Sequence, residues 1–407
     1  MNHMPGSGLG RRAAFVLAAA QAILGSANPI AVSLGALAGY YLLAADKSLA
    51  TLPVTGMTVG VALGAMPAAM IIRRLGQRSG FLVGAAITGL GGALSALGLL
   101  QFSFWLFVLG LVVIGLGGSF VQQFRFAAAD SVAPAYKARA ISIVLAGGVI
   151  TALLGPQIVI FTRELLAPVM FAGSFVAVIG LGVAGALILL FLPARTVSKG
   201  SVSGFDSLPA RPLGEIVRQP RFFVGLICAV GSYAMMSFVM TGAPLAMVGC
   251  GFSPDEATLG ISWHVMAMFG PSFFTGRLIT RFSAEAVVAA GLMLLIGCGI
   301  VALSGLELWQ FWSALVLLGV GWNFGFIGAT AMVASTYRPS EQGKTLSLHD
   351  SILFGTVALA SFMSGVVLDN WGWEVVNWLI FPVMAICLIA LFALRLAARQ
   401  PEESIAG

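Results

Sequence analysis

The sequence predicts an all-α membrane protein: twelve transmembrane helices in two six-helix halves, with both termini cytoplasmic. Three observations predict it: a composition too apolar for a soluble fold, twelve apolar stretches of spanning length, and a repeat that relates one half to the other. Of 407 residues, 59% are hydrophobic and 9% charged, where soluble domains carry about a quarter charged residues. So few charges cannot coat a globule of this size, and a mean hydropathy of +1.01 puts most of the surface in lipid. The net charge of +6 is therefore a record of topology and not of nucleic-acid binding.

A helix needs about 20 apolar residues to cross about 30 Å of hydrocarbon. Cutting the chain at charges and turn residues gives spans at 13–43, 49–72, 80–100, 102–124, 139–161 and 168–192. The second half gives 221–247, 256–279, 285–304, 309–334, 345–368 and 372–396. The first span follows Arg11 and Arg12 and runs past Gly25, too long for a cleaved signal peptide, so it reads as a retained helix. Between the halves lies the one long polar stretch, with Arg195, Lys199, Asp206, Arg211, Glu215 and Arg218 among Ser, Gly and Pro. The division is an N-terminal bundle at 1–192, a cytoplasmic linker at 193–220 and a C-terminal bundle at 221–407. With the N-terminus inside, only Lys47 and Arg163 of 21 basic residues fall outside, a bias that fixes the orientation by the positive-inside rule. Four cysteines without a CxxC pair predict no disulfide framework.

The loop after the second span, Arg73-Arg74-Leu75-Gly76-Gln77-Arg78, recurs after the eighth as Arg277-Leu278-Ile279-Thr280-Arg281. Pro134, Arg139 and Ser142 recur as Pro339, Lys344 and Ser347. Parallel six-span halves joined by a cytoplasmic linker resemble the major facilitator superfamily, over nearly the whole chain. The loop looks like that family's Gly-x-Leu-x-Asp-Arg-x-Gly-Arg signature, with Arg74 and Gly76 kept and the usual Asp replaced by Arg73 and by Thr280. Gly155-Pro156 in the fifth span is a weak match to a further family motif and reads equally as a helix distortion.

Transporters of this build hold substrate near the bilayer midplane. Gln21, Ser26, Asn28, Gln157, His264 and Asn323 are the polar residues deep in spans. Arg125 and Asp130, near the cytoplasmic end of the fourth span, read as interfacial groups whose heads reach for water or a loop. A Ser-x-x-Asp cap explains Asp350, which with His349 starts the eleventh span, as well as proton coupling does.

Six of 16 methionines, Met235, Met236, Met240, Met247, Met266 and Met268, fall between 235 and 268, where even scatter places about one. Met236-x-x-x-Met240 and His264-x-x-x-Met268 each put two side chains one turn apart on a helix face. Counted from an outer turn near 252, Met240 is level with His264 and Met236 with Met268, so the four are expected to converge. Methionine also fills gaps in helix packing; three thioethers and one imidazole would suit Cu(I) far better than harder metals. At these residues the chain resembles the CcoA-like bacterial copper importers, whose seventh and eighth spans carry the same two motifs. That resemblance implies an inner-membrane importer that takes up copper as its transported substrate, needs no cofactor of its own, exchanges with periplasmic and cytoplasmic copper carriers and supplies assembly of a cbb3-type cytochrome oxidase. It also implies an accessory role for the thiols of Cys228 and Cys250, which bracket the seventh span; Cys228 reads equally as a buried small hydrophobe.

The alternative is an importer of a small organic solute such as riboflavin, with Trp263, Trp322 and Phe326 lining a pocket for a planar ligand. An enzyme is not expected: the chain carries no nucleophile and base pair, nucleotide loop or hydrolytic metal motif.

Overall fold

A computed structural model describes residues 7–44, 47–132, 137–193 and 211–403, all helix and connecting turns with no strand among them. Asp46, Pro134, Arg195, Lys199, Asp206 and most of the linker lie outside the described residues.

Ten stretches are long and apolar enough to cross a membrane. The last, Lys344–Ala397, has 54 residues and would measure about 80 Å if straight; it holds two crossings, parted at Gly372, whose φ of 79° and ψ of 178° are not helical. A twelfth crossing, the eighth in chain order, is interrupted and so shorter in each piece. The elements are α1 (Ser7–Leu24), α2 (Ala27–Leu42), α3 (Leu52–Leu75), α4 (Gln77–Leu100), α5 (Phe104–Gln122), α6 (Phe124–Asp130), α7 (Lys137–Thr162) and α8 (Ala172–Leu189). After the short α9 (Leu213–Val217) come α10 (Pro220–Gly249), α11 (Pro254–Phe269), α12 (Ser272–Phe282), α13 (Ala284–Leu303), α14 (Leu308–Ala334), α15 (Gln342–Trp378) and α16 (Ile380–Glu403).

Three spans are broken, each near the middle of the protein. The first parts into α1 and α2 because Pro29 has no N–H to give the Gly25 carbonyl, which instead accepts from Asn28 N–H at 3.0 Å. Thr151 Oγ1 donates to the Gln21 carbonyl at 3.0 Å and steadies the break from α7. Gly155 lets α7 come this close: a Cβ there would stand 2.5 Å from the Pro29 ring. Gly155-Pro156 thus serves a close helix crossing, and α7 runs on through Pro156.

The eighth span parts into α11 and α12 at Gly270-Pro271. Asn323 of α14 closes that break: its Nδ2 donates to the Met268 carbonyl at 2.6 Å and to Ser272 Oγ at 2.7 Å, and its Oδ1 accepts from Thr275 Oγ1 at 2.6 Å. α11 itself starts at a reciprocal cap, Ser253 Oγ accepting from Glu256 N–H and the Glu256 carboxylate from Ser253 N–H. The fourth span is offset at Gln123, between α5 and α6.

Buried apolar residues of α10 to α16 share one large cluster, and those of α1 to α8 form two others. The helices that join the first-half and second-half spans are α3 with α15, α7 with α11, and α2 with α10 and α11. At the end remote from the linker these contacts are polar as well as apolar. Thr55 Oγ1 donates to Ser361 Oγ at 3.3 Å, Ser262 Oγ to the Ala152 carbonyl at 2.6 Å, and Arg163 pairs with Asp255 at 3.1 Å. At the linker end, Arg211 grips Glu341, which is fully buried: its backbone N–H and Nε donate to Oε1 at 2.8 Å and its Nη2 to Oε2 at 2.7 Å. The Glu341 carboxyl is held well below the usual carboxylate range by these hydrogen bonds.

Candidate functional site

The breaks and offsets converge on a cavity of about 300 Å³ between the two sets of spans, at the lower end of the roughly 300–1,000 Å³ usual for small-molecule sites. Its two walls differ in chemistry. From the first half come Gln21 and Asn28, on either side of the break in the first span, with Thr58, Gln122 and Arg125. Asn28, Gln122 and Arg125 are exposed within it. The second half contributes Tyr233 of α10, Trp322 and Phe326 of α14 and Phe354 of α15.

These four rings form one surface with Tyr233 at its hub. The Tyr233 ring meets Trp322 at 5.3 Å, Phe326 at 5.1 Å and Phe354 at 6.1 Å, each edge to face. Trp322 and Phe326 lie one turn apart on α14 and stack at 5.2 Å with 15° between planes. An aromatic face opposite amides, a hydroxyl and a guanidinium suits a ligand with a flat apolar ring system and many polar groups.

The sequence-predicted ligands are divided by this geometry. Met236, Met240 and Met268 all line the cavity. His264 is fully buried but does not line it. Its Nδ1–H donates 2.8 Å to the Leu315 carbonyl of α14, and its Nε2 is buried with no partner among the described residues. The helix face that carries His264 thus packs on α14, while Met268, one turn on, reaches the cavity edge. Among the described residues no group of three or more His, Cys, Asp or Glu stands together to supplement the thioethers.

Cys228 is buried in α10 with its Sγ 3.8 Å from the Cys387 carbonyl, and Cys250 is exposed at the end of α10. Partial desolvation by its neighbours at the end of α10 raises the Cys250 thiol above its ordinary range. All four cysteines are free thiols. Of the expected aromatics, Trp322 and Phe326 line the cavity, whereas Trp263 is 45% exposed and lies outside it. Arg125, expected at the interface, lines the cavity, two residues after the turn at Gln123 that parts α5 from α6.

Tyr233, Phe354 and Gln122 were not singled out by sequence. Tyr233 carries a usable signal, being the one tyrosine of five that lies deep within a span. Asn323, a candidate by depth, is consumed by the break between α11 and α12.

Twelve crossings around a central cavity with two unlike walls define a membrane transporter, not an enzyme. The chain belongs to the Major Facilitator Superfamily, whose sequence profile matches residues 13–352 and 272–406, and it is a multi-pass protein of the bacterial inner membrane. It is 49% identical over 381 residues to the riboflavin transporter RfnT of Brucella anthropi, covering 94% of this chain and 95% of the relative. It is 27% identical to the uncharacterized MFS-type transporter YddS of Bacillus subtilis, covering 85% and 82%. Among solved structures it resembles the xylose transporter XylE of E. coli, in a partially occluded inward open conformation, with a TM-score of 0.72 at 12% identity over 96% of this chain and 98% of that one. A bacterial homolog of the human lysosomal transporter Spinster, inward-facing and unoccupied, gives 0.69 at 15% identity over 98% of each chain.

The likeness to RfnT overturns the expectation of a copper importer. With it fall the copper ion as cargo, the periplasmic and cytoplasmic copper carriers as partners and the supply of cytochrome oxidase assembly. The geometry agrees in part: His264 sits on the face of α11 that packs on α14 and does not line the cavity that Met236, Met240 and Met268 share, and the surface facing the cavity is built for a ring. Met236, Met240 and Met268 do meet at the cavity, whereas His264, one turn from Met268, does not line it.

Proposed function

We propose that the protein carries riboflavin, a flat tricyclic ring with a polyhydroxylated tail, across the inner membrane by alternating access. The observation that carries this reading is the continuous aromatic surface of Tyr233, Trp322, Phe326 and Phe354 set opposite Gln21, Asn28, Thr58 and Gln122. Rings stack on the first wall, and the amides and hydroxyl of the second exchange hydrogen bonds with the tail. The 49% identical relative, a riboflavin transporter, supports the same substrate. Met236, Met240 and Met268 act as a polarizable, adaptable lining against the apolar part of the ring.

In this reading residues 1–192 and 221–407 are two bodies joined by 193–220, and they rock about the cavity. The charge bias of the loops puts both termini and the linker in the cytoplasm. The contacts at Thr55, Ser262 and Arg163 then close the outer side.

The test is uptake of radiolabelled riboflavin by flavin-auxotrophic bacteria making the protein, together with quenching of flavin fluorescence by the purified transporter. Saturable uptake and quenching are expected, both lost in Tyr233→Ala. Neither uptake nor quenching with correctly folded wild-type protein would overturn the reading.

A further inference from the structure

Arg125 is the only charged residue in the cavity wall among the described residues. Its guanidinium lies over the Phe126 ring, 4.8 Å from the centroid. No hydrogen bond or ion pair within 4.0 Å engages it among the described residues. Its electrostatic neighbours are Tyr233 and Asp350, both from the second half. The Asp350 carboxylate is itself engaged by His349 Nδ1 at 2.9 Å.

An unpaired cation inside a membrane protein is costly and is kept where a ligand uses it. Arginine offers five N–H donors in a rigid planar fork, matched to two acceptors lying side by side in one plane. Tyr233 is the hub of the aromatic surface, so a cation that acts on Tyr233 stands beside the place where a stacked ring ends. A flavin presents two such in-plane pairs, N5 with the C4 carbonyl oxygen and N1 with the C2 carbonyl oxygen; the second lies on the tail side of the ring, which faces the polar wall that Arg125 shares with Asn28 and Gln122, and the tail hydroxyls offer no pair held in one plane.

We propose that Arg125 is a specificity-determining residue that donates, in the plane of the ring, to the N1 and C2 carbonyl acceptors of the bound flavin. The assignment rests on the riboflavin reading and sharpens it: the cavity ranks ligands by the acceptor strength of that edge and not by the charge of the tail.

The experiment titrates purified full-length protein in lipid nanodiscs with riboflavin, with 1-deazariboflavin, in which a C–H replaces N1, and with riboflavin 5′-phosphate. Wild-type protein is compared with Arg125→Lys and Arg125→Gln. Wild-type protein is expected to bind riboflavin roughly 10- to 100-fold more tightly than the 1-deaza analogue, the worth of a charge-assisted hydrogen bond. That ratio falls to about one in Arg125→Gln and lies between in Arg125→Lys. Because it is a ratio within each variant, the fraction of folded protein cancels. An unchanged ratio in Arg125→Gln, with riboflavin still bound, overturns the assignment and leaves the riboflavin reading standing. A selective loss of the 5′-phosphate in Arg125→Gln also overturns it, placing the guanidinium at the tail. A wild-type protein that binds no flavin overturns both.

Discussion

Arg163, at the end of α7, reaches across to Asp255 in the first turn of α11, and the two side chains meet at 3.1 Å. The Arg163 side chain is 15% exposed and that of Asp255 35%, so the pair is shielded in part from water and joins the two halves at the end where the cavity is closed. The same guanidinium also pairs with Glu164 at 3.1 Å.

Removing this pair is expected to favour the state open on that side. A cysteine placed at Met240, in a Cys250→Ser background, reports on it through its rate of labelling by a membrane-impermeant maleimide added outside. Asp255→Asn should raise that rate roughly 3- to 10-fold, and the swap Arg163→Asp with Asp255→Arg should bring it back. A rate unmoved by Asp255→Asn would show that the pair does not hold the closure.

The aromatic surface makes a second expectation. Trp322 Nε1 has no hydrogen-bond partner among the described residues, so Trp322→Phe loses ring area and no polar contact. Riboflavin affinity, read by fluorescence quenching, should fall about threefold or less in Trp322→Phe and roughly tenfold or more in Trp322→Ala. Equal losses in the two would mean that stacking is not what Trp322 supplies.

Asn323 works for the fold. Asn323→Ala strips donors from the Met268 carbonyl and Ser272 and the acceptor from Thr275, all at a helix break with few other partners. Its cost is about 1–3 kcal/mol, seen as a lower thermal midpoint of the purified protein. Affinity ratios among flavin analogues should stay at wild-type values in the fraction that folds.

The grip of Arg211 on Glu341 has a defined response to pH. A carboxyl held below its ordinary range contributes stability that is full above its unfolded value, near 4.5, and is lost only as pH falls through its folded value. Hydrogen exchange of residues 211–219, corrected for intrinsic rates, should therefore be the same at pH 8 and 5.5. Glu341→Gln should speed it at both. Exchange that rises between pH 8 and 5.5 in wild-type protein would assign the tether to another group.

The number of spans was legible because it is a local property of the chain: runs of apolar residues interrupted by Arg73, Arg74 or Arg277. The site was not. Tyr233, Trp322, Phe326 and Phe354 stand on three helices separated by up to 121 positions, and only packing brings them into one surface. The reading of copper as cargo failed for the converse reason. Met236, Met240, His264 and Met268 are close in sequence and correctly spaced along their helices, but spacing does not say which neighbour a face meets. Leu315, whose carbonyl captures His264, lies beyond the reach of any local pattern. Arg125 was visible as a charge in an apolar span, yet whether it faced lipid headgroups or the interior depended on the packing of the fourth span around the cavity.

The placement of Arg125 as the lone fixed charge in the cavity wall among the described residues has an electrical consequence. A sodium ion or hydronium passing within about 6 Å of it, at an effective permittivity of about 20, meets a barrier of about 3 kcal/mol. That lowers its occupancy of the path about 100-fold, while an uncharged solute meets no such barrier. A transporter so built can turn over a neutral cargo, as the proposed riboflavin is, without short-circuiting the ion gradients across the membrane it sits in.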